Sequence, residues 1–396
     1  MAGSLEKRGK DSWRLVVSCG IDAKGQQIKV TKTVKTSSKR HAEKLLAEFV
    51  TAVEKGQFIA TDLTLRDFVE RWLKEYGENH LAPKTLARYK DLLNKRILPA
   101  LGHLRIDKIR PVHLLSFYNN LAEPGLRLDG KKGALSACTV QMHHRVLSAV
   151  LQDAVEWQII TDNPCRRVAP PKKQRPLIQI LTDEQTVIFL TGLEQAPLKW
   201  KTISVLALST GLRLGELLGL EWRHIDFDAQ TVRIEQTSQY ICGMGVFTKG
   251  TKNTSSERLI ALPASVTELL QTYRESQDEQ REKLEDLWHE SNRLFTQWNG
   301  LPMHPSSFNH WLRQYCTNTG LPRITPHSFR HMSATMLLNA GISLKNVSGR
   351  LGHSNVSTTG NIYSHFLKSV DKLAAEKMDT LLLQRAESQD INDGPE

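Results

Sequence analysis

A chain of 396 residues, 40% hydrophobic and 24% charged, is long for one core and too apolar for a disordered chain, so two or three domains are expected. The net charge of +11 and a pI near 9.4 favour a polyanionic partner. No apolar run suits a membrane span, Met1 to Arg8 carries no secretory signal, and the scattered Cys19, Cys138, Cys165, Cys242 and Cys316 form neither a disulfide framework nor a zinc motif; the expected compartment is the cytoplasm.

Trp13, Leu15 and Val17 alternate with Arg14 and Val16, and Asp22-Ala23-Lys24-Gly25 is turn-like. Residues 28–34 are again two-periodic, with Lys29, Lys32 and Lys35 interleaved, which predicts a small basic sheet. From Ser37 the spacing becomes helical, with Ala42, Leu45, Leu46 and Phe49 inward and Ser37 or Ser38 as cap. Residues 1–58 are therefore expected as a three-stranded sheet backed by one helix.

Thr64 suits a cap for a helix with Leu65, Phe68, Val69, Trp72 and Leu73 on one face. Pro83-Lys84-Thr85 opens another, with Leu86, Tyr89, Leu92, Leu93 and Ile97 inward and Lys84, Arg88, Lys95 and Arg96 left for solvent or phosphate. Helices at 112–121 and 139–155, with a Gly- and Lys-rich loop at 123–133, complete an all-helical domain over 62–165. The proline- and arginine-rich stretch from Asn163 to Pro176 has almost nothing to bury, so 166–176 is expected to be an extended linker, which could also run along a DNA backbone.

Residues 177–384 form the third region, a mixed and mainly helical domain with a small antiparallel sheet, before a polar tail at 385–396. Thr182 caps a helix, residues 198–208 form another ending at Ser209-Thr210-Gly211, and strands are expected at 231–234, 246–248 and 258–262.

The chemistry-bearing residues lie in this region. Thr325-Pro326-His327 is a helix start with threonine as cap and proline at the first helical position; Gly341 suits the far end. His327 and Arg330 then share one face of a first turn, where free N–H groups and the helix dipole favour an anion. The alternative is a cap-region histidine beside a surface ion pair. His327 and His331 also stand at metal-ligand spacing, but no glutamate adjoins the first and no third ligand is evident, so no metal is expected. Leu351-Gly352-His353 closes a further helix, and Ser357 can cap the one that carries Tyr363.

Thr210-Gly211-Leu212-Arg213-Leu214-Gly215-Glu216-Leu217, His327-Ser328-Phe329-Arg330-His331, Leu351-Gly352-His353-Ser354 and Tyr363-Ser364-His365 together resemble the boxes of the tyrosine recombinases of the phage-integrase type. The likeness covers essentially the whole chain, 1–58 resembling an arm-type and 62–165 a core-type DNA-binding domain. It implies Tyr363 as nucleophile on a DNA phosphate, Arg213 and Arg330 on the phosphate oxygens, His327 assisting proton transfer, and His353 hydrogen-bonding the phosphate. The general acid would be a hairpin lysine, Lys252 by counting back from Arg258, with Lys249 as competitor. Glu216 would orient the site. No cofactor is implied, and no G-x-x-x-x-G-K-[ST] loop is present.

The resemblance further implies integration and excision of a phage or mobile element at core and arm attachment sites, by a homotetramer on double-stranded DNA in the nucleoid of a bacterial host. An excision (directionality) factor and a host DNA-bending protein would assist. A chromosome-dimer resolvase and a non-catalytic DNA-binding regulator are the alternatives. Lys29, Lys32 and Lys35 on the sheet and Lys84, Thr85 and Arg88 at a helix start are candidate DNA contacts, with solvated faces as the alternative. Two positions depart from the family pattern. Gly360 replaces a larger apolar residue, which suggests a loosely held tyrosine segment, and His224 stands where an acid is common, in a supporting place. The amphipathic stretch through Leu367, Val370, Leu373, Ala374 and Met378 packs either on its own domain or on a neighbouring subunit.

Overall fold

Leu15 and Val17 point to one side of their strand and Arg14 and Val16 to the other, and this alternation seats the strand in the middle of a sheet. In the structure, a computed structural model, residues 3–21, 25–54, 63–172, 180–250 and 257–352 are described, with Asn355, Gly360, Met378 and Asp379. The sheet is antiparallel in the order β1 (Gly3–Gly9), β2 (Ser12–Ile21), β3 (Gln27–Lys35). Helix α1 (Lys39–Glu54), capped by Ser38, lays Phe49 and Val53 on Leu15 and Val17. Of the three strands expected, the sequence located only β2 and β3, because β1 offers a single apolar residue, Leu5, for the helix-facing side.

Cross-strand pairing decides which lysines share a face. Lys29 pairs with Ser18 and Lys35 with Ser12, on the side of Arg14; Lys32 pairs with the buried Leu15, on the side covered by α1. The three candidate lysines are therefore split between two faces.

The helical part begins at α2 (Leu65–Trp72), where Thr64 and Asp67 form a reciprocal capping box. The helix runs through Leu73–Gly77 into α3 (Glu78–His80). Helix α4 (Pro83–Leu92) likewise runs through Leu93–Ile97 into α5 (Leu98–Leu101), followed by α6 (Pro111–Leu121) and α7 (Ala137–Glu156). Trp72, Phe68, Leu93, Ile97, Leu147 and Leu151 form their core, and the Trp72 indole donates to Asp153 at 2.6 Å. The stretch expected to be extended differs at its start. Pro164–Arg167 is a 3-10 turn held by Asn163, and Cys165 and Val168 are buried in the helical core. Two apolar side chains among cations were enough to dock it.

Contact density separates Met1–Arg175 from Pro176–Glu396. In the second unit α8 (Asp183–Leu193), α9 (Leu198–Thr210) and α10 (Leu214–Gly219) precede a sheet of β4 (Ile225–Asp226), β5 (Thr231–Ile234) and β8 (Arg258–Ala261), in that order. Among the described residues, strands β6 (Gln236–Ile241) and β7 (Gly245–Gly250) pair only with each other. Then come α11 (Ala264–Leu284), α12 (Pro305–Asn318), α13 (Pro326–Asn339) and α14 (Leu344–Leu351). Phe189, Leu206, Leu270, Phe295, Phe308 and Phe329 centre the core, which fixes α13 from its buried face. No described helix is long and apolar enough to cross a membrane.

Candidate active site

Helix α9 ends where Gly211 turns into the left-handed region at φ 65°, and Arg213 two residues on is the N-cap of α10. A Cβ at Gly211 would stand 2.5 Å from Leu351 Cδ2, so glycine serves both the turn and the approach of α14. The Glu216 carboxylate accepts from the Arg213 backbone N–H at 3.1 Å and from its guanidinium at 2.7 Å. Its other contact is the guanidinium of Arg258, at 2.9 Å. Glu216 is only 3% exposed; burial pushes its pKa up, but the Arg258 and Arg213 contacts outweigh that and hold the carboxyl below its usual range. The cluster is thus an ion triad, with one carboxylate between two guanidiniums.

Arg330 reaches the same turn from α13. It is buried and donates to the Gly211 carbonyl at 2.9 Å. Arg213, whose side chain remains 41% exposed, also donates to the Gly352 carbonyl at 3.3 Å. His327 stands exposed at the start of α13, its ring edge to face with His331 at 4.6 Å. Partial enclosure and then the Arg330 and Arg213 charges lower its pKa, so the ring is neutral at neutral pH. Burial, then His327 and Arg330, hold the interior His331 at about 4.

The fold thus brings Arg213 and Glu216 at the start of α10 together with His327 and Arg330 of α13. Lys252, His353 and Tyr363 lie outside the described residues, so the geometry speaks to Arg213, Glu216, His327 and Arg330 alone. The competitor Lys249 is half-buried in β7, paired with Thr237. At Gly360 a Cβ would lie 3.7 Å from Leu344 Cδ2, an ordinary contact. His224 is buried, accepting from the Glu221 N–H at 2.9 Å and meeting Glu235 at 2.9 Å, which makes it a brace of the 3-10 turn before β4.

Three arginines that hold this region together went unrecognised as such in the sequence. Arg258 served there only as a counting mark, yet it also donates to the Arg350 carbonyl at 2.8 Å, and a Cβ at Gly352 would lie 2.8 Å from its guanidinium. Arg350 in turn donates to the carbonyls of Ser209 and Ala261, at 2.9 and 3.1 Å. Arg293 is buried and bonds the Gly219 carbonyl and the Thr248 hydroxyl. No periodic signal marks an arginine whose partner is a distant backbone carbonyl. Beside the start of α13 a cleft of about 470 Å³ is lined by His310, Arg313, Arg323 and Thr325.

The candidate DNA contacts lie in the other unit. Lys29 and Lys35 are exposed on the sheet face away from α1; Lys32 is exposed on the α1 side. Lys84, Thr85 and Arg88 are exposed in the first turns of α4, where Arg88 pairs with Asp91 at 3.2 Å.

The profile described as the phage integrase family matches residues 179–369, and that of the phage integrase N-terminal SAM-like domain matches 64–122. A tyrosine recombinase XerC-like protein of Caldanaerobacter subterraneus is 28% identical, covering 95% of this chain and 98% of that one. The ICEBs1 integrase of Bacillus subtilis is 27% identical over 76% of this chain and 78% of its own. The solved Tn1549 transposon integrase, in complex with a circular intermediate DNA, superposes with a TM-score of 0.63 at 22% identity, covering 79% of this chain and 100% of that one. It shares the fold.

Proposed function

We propose, from the premise that this chain belongs to the phage integrase family and is a tyrosine-type site-specific DNA recombinase, that it integrates and excises a mobile element. The observation that carries the site assignment is the cluster in which Glu216 pairs with Arg213 and Arg258 while Arg330 is fixed on the Gly211 carbonyl. Two permanently charged guanidiniums, of which Arg213 keeps an open side, suit the non-bridging oxygens of a phosphodiester whose transition state gains negative charge.

In the proposed reaction the Tyr363 phenol oxygen bonds to phosphorus as the bond to the 5′-oxygen breaks. The phenolic proton passes towards His327, whose lowered pKa leaves its ring free to accept it. A hairpin lysine, Lys252 or Lys249, gives its proton to the departing 5′-oxygen, and His353 hydrogen-bonds the phosphate. The products are a 3′-phosphotyrosyl ester and a free 5′-hydroxyl. Because one phosphoester replaces another of similar energy, a second 5′-hydroxyl can reverse the step on a new partner strand, and no nucleotide cofactor takes part.

The domain roles follow the same proposal: 1–58 binds arm sites, 62–165 binds core sites, 166–176 links, 177–384 catalyses, and 385–396 is a tail. Four protomers act on paired attachment sites in the bacterial nucleoid, with an excision factor and a host DNA-bending protein as partners. The name of the XerC-like relative favours a second reading, resolution of chromosome dimers, and that relative spans 95% of this chain. The test uses DNA flanking the protein's own gene, the position of an element's attachment site, and looks for denaturant-resistant protein–DNA adducts with wild type and Tyr363→Phe. Adducts formed only by wild type, at the element's ends, are expected; adducts only at a chromosomal dimer-resolution site would favour the resolvase. Equal tight binding by both proteins without adducts would turn the chain into a DNA-binding regulator.

A further inference from the structure

The pair β6–β7 carries Lys249 and precedes Lys252 in sequence, yet among the described residues it hydrogen-bonds to no third strand. An isolated two-stranded hairpin is marginal in water, so something must hold it against the body of the unit. Part of the hold is close backbone approach. A Cβ at Gly219 would stand 2.9 Å from the Gln236 carbonyl oxygen, and one at Gly215 would stand 3.1 Å from that of Ser238, so α10 meets β6 through its two glycines. The rest is polar. Gln236 donates to the Gly219 carbonyl at 2.8 Å, and Arg293 spans from that same carbonyl to the Thr248 hydroxyl on β7.

Arg293 is itself well anchored. It is 5% exposed, it faces Glu221 at 3.9 Å, and the flanking backbone is pinned to the chain around Leu220 by the bonds Trp222 N–H to Asn292 and Leu294 N–H to Leu220, both 3.1 Å. Thr248, itself exposed, and its buried cross-strand partner Ser238 lie on one side of the hairpin, and the half-buried Lys249 lies on the other with Thr237. Arg293 therefore grips the hairpin one residue before Lys249, from the side opposite to it, and refers it to the end of the helix that Arg213 begins.

We infer that Arg293 is a positioning residue for the reaction, setting the hairpin so that its lysine meets the departing 5′-oxygen. This rests on the proposed role of that lysine. A general acid works only within hydrogen-bond reach of the atom it protonates, and a displacement of about 1 Å can cost as much as 100-fold in rate. Arg293→Met keeps the aliphatic stem in its buried place and removes both donors.

The test is cleavage of a half-site duplex, built on the crossover sequence that the covalent adducts define, with either oxygen or sulfur at the bridging 5′ position of the scissile phosphate. A thiolate departs without protonation, so sulfur removes the need for the acid and nothing else. Arg293→Met should cleave the oxygen substrate about 10- to 100-fold more slowly than wild type, and the sulfur substrate at close to the wild-type rate. The lysine variants Lys249→Ala and Lys252→Ala calibrate the effect, the acid being the one whose loss sulfur rescues. Thr248→Val cuts the same grip from the hairpin side and should show the same rescued pattern with a smaller loss. The inference is overturned if a lysine variant is rescued and Arg293→Met, folded with the thermal midpoint of wild type, is slow on both substrates or normal on oxygen. If Arg293→Met does not fold, Thr248→Val decides alone, an unrescued or absent loss overturning it. Failure of sulfur to rescue either lysine variant would instead sink the acid assignment, and this inference with it.

Discussion

On the N-terminal sheet Lys29 and Lys35 stand in water on the face away from α1, whereas the side chains of Arg258 and Arg330 are enclosed and each is tied to a backbone carbonyl. Both regions are basic, but the sheet offers a diffuse field whose charges act one by one and are screened by salt. The arginine cluster offers direction. The side chains of Arg258 and Arg330 are buried, matched by Glu216 and by carbonyl oxygens, and removing the carboxylate would leave Arg258 without its counter-charge.

The contrast is broken most directly at Glu216. Glu216→Ala should lose about 3–5 kcal/mol of stability because Arg258 is left buried without its carboxylate, and cleavage should fall with it; urea unfolding checks this. A loss below about 1 kcal/mol would mean that the cluster behaves as a surface pair. The interior His331 gives the next effect. Its folded pKa of about 4 lies below the unfolded 6.5, so the unfolded chain binds the extra proton between those values. Stability is fully present above pH 6.5 and falls as pH drops towards 4, by on the order of 3 kcal/mol. Unfolding of His331→Gln across that window should give a flatter profile than wild type, and parallel profiles would refute the assignment. The smallest effect belongs to the sheet. Lys29→Ala or Lys35→Ala should each weaken DNA binding several-fold regardless of sequence and lower the salt slope by about one. Lys32→Ala, on the α1 side, should change the slope less; equal slopes for all three would erase the distinction between faces.

The boxes around Arg213 and Arg330 were legible because they sit at helix starts, where local sequence writes the geometry: a left-handed glycine before one, threonine and proline before the other. The family, the α+β class and the recombinase chemistry could be read from them. Strand β6 could not, since Gln236-Thr237-Ser238-Gln239 shows no apolar alternation and is held by pairing with β7 and by α10. Arg258 and Arg293 were equally silent, because an arginine that bonds a distant carbonyl looks, in one dimension, like one in solvent. The sheet lysines were read from charge and placement, and the register with β2 shows that Lys32 is the one on the side covered by α1.

The turn from Gly211 to Arg213 is a fixed length of chain with a carbonyl in use at one end and a capping arginine at the other. One inserted residue would shift Arg213 off the head of α10 while Arg330 still held Gly211. Hybrid proteins spliced from relatives should therefore be joined outside this turn.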